Sequence, residues 1–420
     1  MKQTKVALVC VLSLACALNG LVAQGTSESS QKEEKIVLDF PTWQAEEGGF
    51  ASFWKEMVKQ FETSHPNVTI NLNQIPFKQF TDTLTTRYSA SDAPDITHIA
   101  SRYFDQFASQ GWFEDLDPYF RQTDILDDWT GLQKSMLHDC KNKGLLVMGY
   151  GFVLYYNEKI LSDAGIMVPT TIADLKKAVD KIEAMGDADI HAYGVTTQQH
   201  ANVYQDFSNF VVGEGSALIK DGSYNISSPE VVQAAKDYNY VASKAPKGVS
   251  TEMLRQLYVD GKIAMLVDGP WVASMIATAE DDIRPFLKIA KTPFPVTPGS
   301  ISNSLHIAKT LPEKRKKLVF EFIEQVAKPE NQILYSQLTQ SPCGRISAVA
   351  KIDDPNLKFV NDATAQAVSI MPDSTNLMKN YSKYIDVVIA SVLKLQDEKA
   401  DVEGILAELQ KSLEREGLEP

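Results

Sequence analysis

The chain has 420 residues, of which 44% are hydrophobic and 23% charged, so it can build sizeable cores and is not a wholly disordered chain. Its 54 acidic residues outnumber its 41 Lys and Arg residues, and a net charge of -13 argues against binding to nucleic acid or to anionic membranes. Four cysteines in this length cannot form a disulfide-dense scaffold, and Cys140 and Cys343 are predicted to be free.

The N-terminus has the pattern of an export signal. Lys2 and Lys5 precede an apolar run over residues 6–18, which is shorter than the roughly 20 residues that a membrane-spanning helix needs. Cleavage after Ala23 would make residues 1–23 a signal peptide. The alternative end is Cys16, lipidated as in a bacterial lipoprotein, and a buried N-terminal helix is the remaining interpretation.

Residues 24–35 follow this signal and contain no apolar side chain that could pack in a core. We therefore predict a disordered tether that ends at the first strand.

Short strands and helices alternate in the next hundred residues. Residues 36–40 and 68–72 have strand composition, and between them Phe53, Met57 and Phe61 recur at helical spacing. A second helix near residues 80–88 and a strand at residues 93–99 complete a β-α-β-α-β order. This order predicts a mainly parallel sheet with helices on its faces.

The same alternation continues toward the C-terminus. Residues 145–156 are predicted to form one long buried strand, and residues 262–267 another. Thr171 with Asp174 and Ser228 with Pro229 are typical helix starts. Two further helices are predicted, one from Pro312 and one near the C-terminus around residues 402–409.

The sequence lacks the motifs that would predict a cofactor, a metal site or a known catalytic centre. It contains no G-x-S-x-G, H-E-x-x-H, P-loop or C-x-x-C pattern, and its six histidines show no ligand spacing. A glycosidase pair among the many carboxylates stays open, because two acids can converge from any two positions.

Aromatic residues beside turns and acids carry the functional signal. Trp43, Phe77, Tyr103, Tyr150 and Trp271 lie in such clusters, mostly where predicted strands end. Ligands of open α/β sheets sit beyond the carboxyl ends of the strands. Aromatic rings stack on the C–H faces of a pyranose, while carboxylates, amides and guanidinium groups pair with its hydroxyls. The pattern therefore predicts a carbohydrate site.

The segment Gly261 to Trp271 (GKIAMLVDGPW) resembles the G-K-x-A-M…G-P-W segment of bacterial extracellular solute-binding proteins of the sugar-binding type. That group includes the maltose-binding protein and serves ABC import systems. Four other segments resemble the family in order and spacing along residues 36–420, namely residues 93–96 (APDI), 154–157 (LYYN), 293–295 (PFP) and 341–345 (SPCGR).

The resemblance implies a two-lobed α/β periplasmic-binding-protein fold with a ligand cleft and three hinge crossings. It implies an N-terminal lobe from residues 36–152 and 293–342, and a C-terminal lobe from residues 153–292 and 343–420. A monomer that binds a mono- or oligosaccharide and delivers it to an ABC permease in the inner membrane is expected. The protein would be exported, either periplasmic or anchored through Cys16.

Phe77 and Asp268 are suggested as ligand-binding residues by the aromatic clusters and not by the resemblance. Trp43 and Trp271 are suggested by both, because each lies after turn residues at a strand end. The resemblance implies the remaining candidates, which are Glu46, Glu47, Arg102, Tyr103, Tyr150, Asn303 and Arg345.

Two alternatives to a sugar receptor stay open. The first is a receptor of the same fold that binds a polyamine, a metal or glycerol phosphate. The second is an exported carbohydrate-active enzyme that uses Glu46 or Glu47 as a catalytic acid.

Overall fold

The computed structural model describes residues 35–420. The predicted signal peptide, Cys16 and the tether up to residue 34 lie outside the described residues.

The first third of the described chain follows the predicted β-α-β-α-β order. Trp54, Met57 and Phe61 are on the buried face of the first helix, which ends before Pro66. The elements are β1 (Ile36–Thr42), α1 (Gly48–Ser64), β2 (Val68–Gln74), α2 (Phe77–Ser89), β3 (Ile96–Ala100), α3 (Phe104–Ala108), α4 (Asp117–Phe120), β4 (Leu137–His138), β5 (Lys141–Asn142) and β6 (Leu145–Gly151). Short 3-10 turns cover Ser101–Tyr103, Leu126–Asp128 and Gly131–Met136.

The middle third begins with a strand that the sequence did not separate from β6. Its helices start at the predicted caps, where the hydroxyls of Thr171 and Ser228 accept backbone N–H bonds. The elements are β7 (Val153–Asn157), α5 (Glu158–Asp163), α6 (Ile172–Glu183), α7 (Ala201–Gly213), β8 (Ile219–Lys220), β9 (Ser223–Tyr224), α8 (Pro229–Ala242), α9 (Thr251–Val259), β10 (Met265–Asp268), α10 (Val272–Ile276) and β11 (Leu287–Ala290), with a 3-10 turn at Arg284–Phe286.

The last third contributes one long strand and mostly helices. The elements are β12 (Pro298–Ile307), α11 (Glu313–Ala327), α12 (Pro329–Thr339), α13 (Ile346–Val349), α14 (Pro355–Ala365), β13 (Val368–Ser369), α15 (Thr375–Lys379), α16 (Tyr381–Leu395) and α17 (Val402–Arg415). None of the helices from residue 35 onward is long and apolar enough to cross a membrane.

The predicted mainly parallel sheet is divided into two sheets in the structure. β1 and β2 form a two-stranded parallel sheet, as the β-α-β order predicts. β3 and β6 belong to a separate four-stranded mixed sheet, called the first sheet below, in which β12 pairs antiparallel with both of them and parallel with β13. Because β12 enters this sheet from the far part of the chain, the handedness rule for β-α-β units does not determine its direction.

The second sheet has the order β10-β7-β11, with both neighbours antiparallel to β7. Residues 191 and 194 extend it through parallel bridges to Ile263 and Leu266. The single strand predicted for residues 145–156 is therefore wrong: Phe152 divides it into β6 of the first sheet and β7 of the second. Both halves are almost wholly buried, so hydrophobic periodicity does not reveal the change of sheet.

Cys140 is exposed and Cys343 is buried, and both are free thiols, as predicted.

Candidate functional site

A cavity of about 580 Å³ collects seven of the eleven predicted ligand-binding residues. One part of its wall comes from the loops that follow β1, β2 and β3, and another from α7, α9 and the loop after β10. The predicted residues that line it are Trp43, Glu46, Glu47, Phe77, Arg102, Tyr150 and Trp271. The other lining residues are Gln44, Phe50, Gln74, Pro76, Lys78, Ala100, His200, Asn202, Gln205, Thr251, Glu252, Arg255, Ile301 and Ser302.

Trp271 follows β10 and is the half-buried ring of the second-sheet side. The Tyr150 ring meets it edge to face, with 4.8 Å between centroids, and the Arg255 guanidinium lies 5.5 Å from its ring centre. A Cβ on Gly269 would lie 2.1 Å from the Trp271 ring. The glycine of the G-P-W segment is therefore what lets the indole fold back against its own loop.

Trp43 follows β1 and combines a core role with its place in the cavity wall. It is only 8% exposed, and its ring stacks on His98 with 4.3 Å between centroids. The Phe77 and Phe80 rings meet it edge to face. Because these contacts hold the indole in place, Trp43 presents a fixed apolar surface to the cavity.

Asp268 does not line the cavity but positions a residue that does. Its carboxylate accepts Arg255 Nε–H at 2.8 Å and Nη2–H at 3.1 Å. The Gly269 backbone N–H donates to the same carboxylate at 2.7 Å. This bidentate pair fixes the guanidinium of Arg255 beside Trp271.

Carboxylates and one neutral imidazole stand near Arg255. Glu47 is open to the cavity yet surrounded by protein, and burial raises its pKa to about 7, although the charge of Arg255 opposes this shift. Burial also lowers the pKa of His200 to about 4, so its imidazole is neutral at physiological pH. His200 Nδ1 accepts the Asn202 backbone N–H at 3.1 Å and lies 3.2 Å from the Thr251 hydroxyl.

Arg102 stands on the first-sheet side, in the 3-10 turn after β3. Its guanidinium lies 5.6 Å from the ring centre of Phe77 and 5.9 Å from that of Tyr103. Tyr103 itself does not line the cavity; its ring packs edge to face on Tyr381.

Two more predicted residues lie outside the cavity lining. Asn303 is fully buried in β12, although its neighbour Ser302 lines the cavity. Arg345 pairs with Asp124 at 2.5 Å and with Asp128 at 2.9 Å, and it also donates to the Ala327 carbonyl. These contacts occupy the guanidinium of Arg345 and anchor the segment before α13.

The part of the cavity wall that helices contribute is not predicted by the sequence patterns. His200 and Asn202 begin α7, while Thr251, Glu252 and Arg255 belong to α9. No local signal marks α9 as part of a site, because an acid and a base three residues apart, such as Glu252 and Arg255, are also the ordinary pattern of a solvated helix face.

The described part of the chain, from residue 35 onward, holds no group of three or more His, Cys, Asp or Glu side chains placed to bind a metal ion. The cavity wall thus consists of aromatic rings, charged groups and amides, a combination suited to non-covalent capture of a polar organic solute.

Comparison with known proteins places this arrangement in a family. The model of the family described as bacterial extracellular solute-binding protein matches residues 44–333. A putative binding protein of Brucella abortus is 29% identical over 245 residues, which cover 55% of this chain and 58% of the relative. The chain thus spans a little over half the length of that relative. The melibiose/raffinose/stachyose-binding protein MelE of Bacillus subtilis is 24% identical over 84% of this chain and 83% of its own.

Solved structures agree on the fold. An ABC transporter solute-binding protein of Thermotoga lettingae, bound with α-D-tagatose, superposes with a TM-score of 0.79 at 18% identity, over 91% of this chain and 99% of its own. Maltose-bound MalE3 of T. maritima gives a TM-score of 0.78 at 18% identity, over 90% and 99%. The two-lobed α/β fold expected from the sequence is thereby confirmed.

Proposed function

Since the chain belongs to the bacterial extracellular solute-binding proteins, we propose that it is an extracytoplasmic sugar receptor of an ABC import system. It captures a mono- or oligosaccharide and delivers it to a permease in the inner membrane. The family is made up of binding proteins, and in this proposal the sugar is neither cleaved nor modified.

The observation that carries the proposal is the composition of the 580 Å³ cavity. Trp271 and Phe77 offer aromatic surface, and charged and amide groups lie between the rings. Rings that can stack on the C–H faces of a pyranose therefore stand beside groups that can pair with its hydroxyls.

Ligand capture is proposed to follow from lobe closure. The lobes are those given above, residues 36–152 with 293–342 and residues 153–292 with 343–420. Arg102 and Trp271 belong to different lobes, so a ligand that contacts both stabilises the closed form over the open form. The permease then recognises the closed receptor, which acts as a monomer.

Membership in an extracellular family implies an exported chain. We propose a periplasmic location, with membrane attachment through Cys16 as the alternative.

The charges of the cavity wall favour a sugar over a polyamine. Three acids line it, Glu46, Glu47 and Glu252, together with three bases, Lys78, Arg102 and Arg255, and the pKa of Glu47 is raised to about 7, which reduces its negative charge near neutral pH. A polyamine would bring its positive charges against the three bases without an excess of acids to hold them. The wall therefore favours a hydroxyl-rich ligand over a polycation.

The test is calorimetric titration with a panel of mono- and oligosaccharides, followed by chromatography of the recovered sugar. We expect saturable binding, recovery of intact sugar, and a loss of about tenfold or more in affinity for Trp271→Ala. Trp112→Ala is the matched control, because Trp112 stacks on Tyr88 and does not line the cavity. No binding of any sugar, or equal affinity in Trp271→Ala and wild type, would contradict the proposal, and a cleaved sugar would favour the enzyme.

A further inference from the structure

Arg102 differs from the other shielded arginines in how its charge is balanced. Among the described residues, 35–420, its guanidinium forms no ion pair and donates no hydrogen bond, although it is only partly exposed. The other buried or half-buried arginines of this range have carboxylate partners, which are Arg87–Asp39, Arg255–Asp268, Arg315–Asp95 and Arg345–Asp128.

The surroundings of Arg102 do not supply the missing negative charge. Burial lowers the pKa of Arg102, and the phenols of Tyr103, Tyr381 and Tyr150 raise it overall. Burial also raises the pKa of each of these phenols, so they are uncharged at neutral pH and supply no counter-charge, while the nearby cation of Arg255 opposes the charge of Arg102. The guanidinium carbon of Arg102 lies 5.6 Å from the ring centre of Phe77 and 5.9 Å from that of Tyr103. These ring faces attract the cation but accept no conventional hydrogen bond from its N–H groups.

The acids of the cavity act on the other cation. Burial lowers the pKa of Arg255, but the charges of Asp268, Glu47 and Glu252 more than offset this and raise it overall. Positive charge is therefore neutralised near Trp271 and left in excess near Phe77. A shielded guanidinium without an anion is costly, and the cost disappears when a ligand brings a carboxylate into its planar fork.

We propose that the solute captured here is an acidic sugar, whose carboxylate pairs with Arg102 while its hydroxyls meet the groups around Arg255. This inference rests on the receptor function proposed above and specifies its substrate class. A carboxylate fits better than a phosphate monoester, because Arg102 contributes one unbalanced charge and Arg255 is already paired with Asp268.

The experiment is calorimetric titration of the whole exported chain with matched pairs. D-galacturonate and digalacturonate are compared with D-galactose and galactobiose, D-glucuronate with D-glucose, and D-galactose 1-phosphate serves as the phosphate arm. We expect the acidic member of at least one pair to bind about tenfold or more tightly than its neutral partner. Arg102→Gln should abolish this preference, and Arg102→Lys should retain part of it.

Arg121→Gln is the control for long-range charge, because Arg121 is exposed and outside the cavity. It should leave the preference for the acidic sugar unchanged. Thermal denaturation without ligand gives a second measurement. Removing an unbalanced shielded charge should leave the melting temperature of Arg102→Gln equal to or above that of wild type.

Each other outcome has a definite meaning. Equal or tighter binding of the neutral sugars would overturn the acidic-sugar proposal and leave the receptor function standing. Tighter binding of the phosphate than of any uronate would overturn the choice of a carboxylate. A melting temperature several degrees lower in Arg102→Gln would show that Arg102 has a structural partner, which also overturns the proposal. Failure of both sugar classes to bind would overturn the receptor function itself.

Discussion

Replacing Arg255 with methionine tests whether the Arg255–Asp268 pair holds the Trp271 side of the cavity. The substitution keeps much of the side-chain volume but removes the two N–H donors at 2.8 Å and 3.1 Å from the Asp268 carboxylate. Asp268 is 5% exposed, so its charge stays buried with the Gly269 N–H as a remaining donor. Breaking a buried pair in this way costs about 3–5 kcal/mol of unfolding free energy.

The converse substitution, Asp268→Asn, is expected to cost less. Arg255 lines the cavity and lies close enough to Glu47 and Glu252 for both acids to act on its pKa, so its charge keeps partners. The loss of the charged hydrogen bonds should cost about 1–3 kcal/mol. The two variants should therefore rank Arg255→Met below Asp268→Asn in stability.

Urea denaturation followed by tryptophan fluorescence at pH 7.5 measures both effects. A loss below about 1 kcal/mol for Arg255→Met, or a smaller loss for Arg255→Met than for Asp268→Asn, would refute the reasoning.

Three further predictions concern other parts of the fold. Burial lowers the pKa of both His98 and His306 to about 3. Because the unfolded histidines take up protons near pH 6.5 and the folded ones do not, acidification from pH 6.5 to pH 5 should remove about 2 kcal/mol of unfolding free energy per histidine. In urea titrations, the double Gln variant should lose this dependence of the unfolding free energy on pH. Burial raises the pKa of Glu47 to about 7, so the ionised carboxylate destabilises the folded state at higher pH. By scanning fluorimetry, the melting temperature of Glu47→Gln should be higher than that of wild type at pH 8 and equal to it at pH 4. A Cβ on Gly49 would lie 1.7 Å from a backbone carbonyl oxygen of α12, so Gly49→Ala should lose about 1–3 kcal/mol, whereas Gly131→Ala, with open space around it, should not.

The sequence predicts the local elements well and the sheet pairing less well. Helix starts such as Thr171 and Ser228 are encoded within a few residues, so they can be recognised without tertiary information. The antiparallel insertion of β12 and the change of sheet at Phe152 depend on segments far apart in the chain. Neither can be recognised from the alternation of hydrophobic and polar residues, because the strands concerned are buried on both faces.

The candidate site divides in a similar way. Trp43, Arg102 and Trp271 were recognisable because each follows a strand, and strand ends gather at one edge of a sheet. Thr251 and Glu252 lie in an ordinary amphipathic helix whose sequence does not distinguish a cavity wall from a solvated face. Arg345 illustrates the opposite difficulty, because its motif position does not reveal the two aspartates that bind it in this fold.

The position of β12 has a consequence for how the chain reaches its native state. β3 and β6 are complete by residue 151, yet the strand that lies between them begins only at Pro298. Until that segment is available, both strands keep unpaired edges, which invite non-native pairing. Pairing between segments so far apart in the chain slows folding, so the first sheet is expected to form late. Until it forms, the nascent chain is expected to need protection from aggregation.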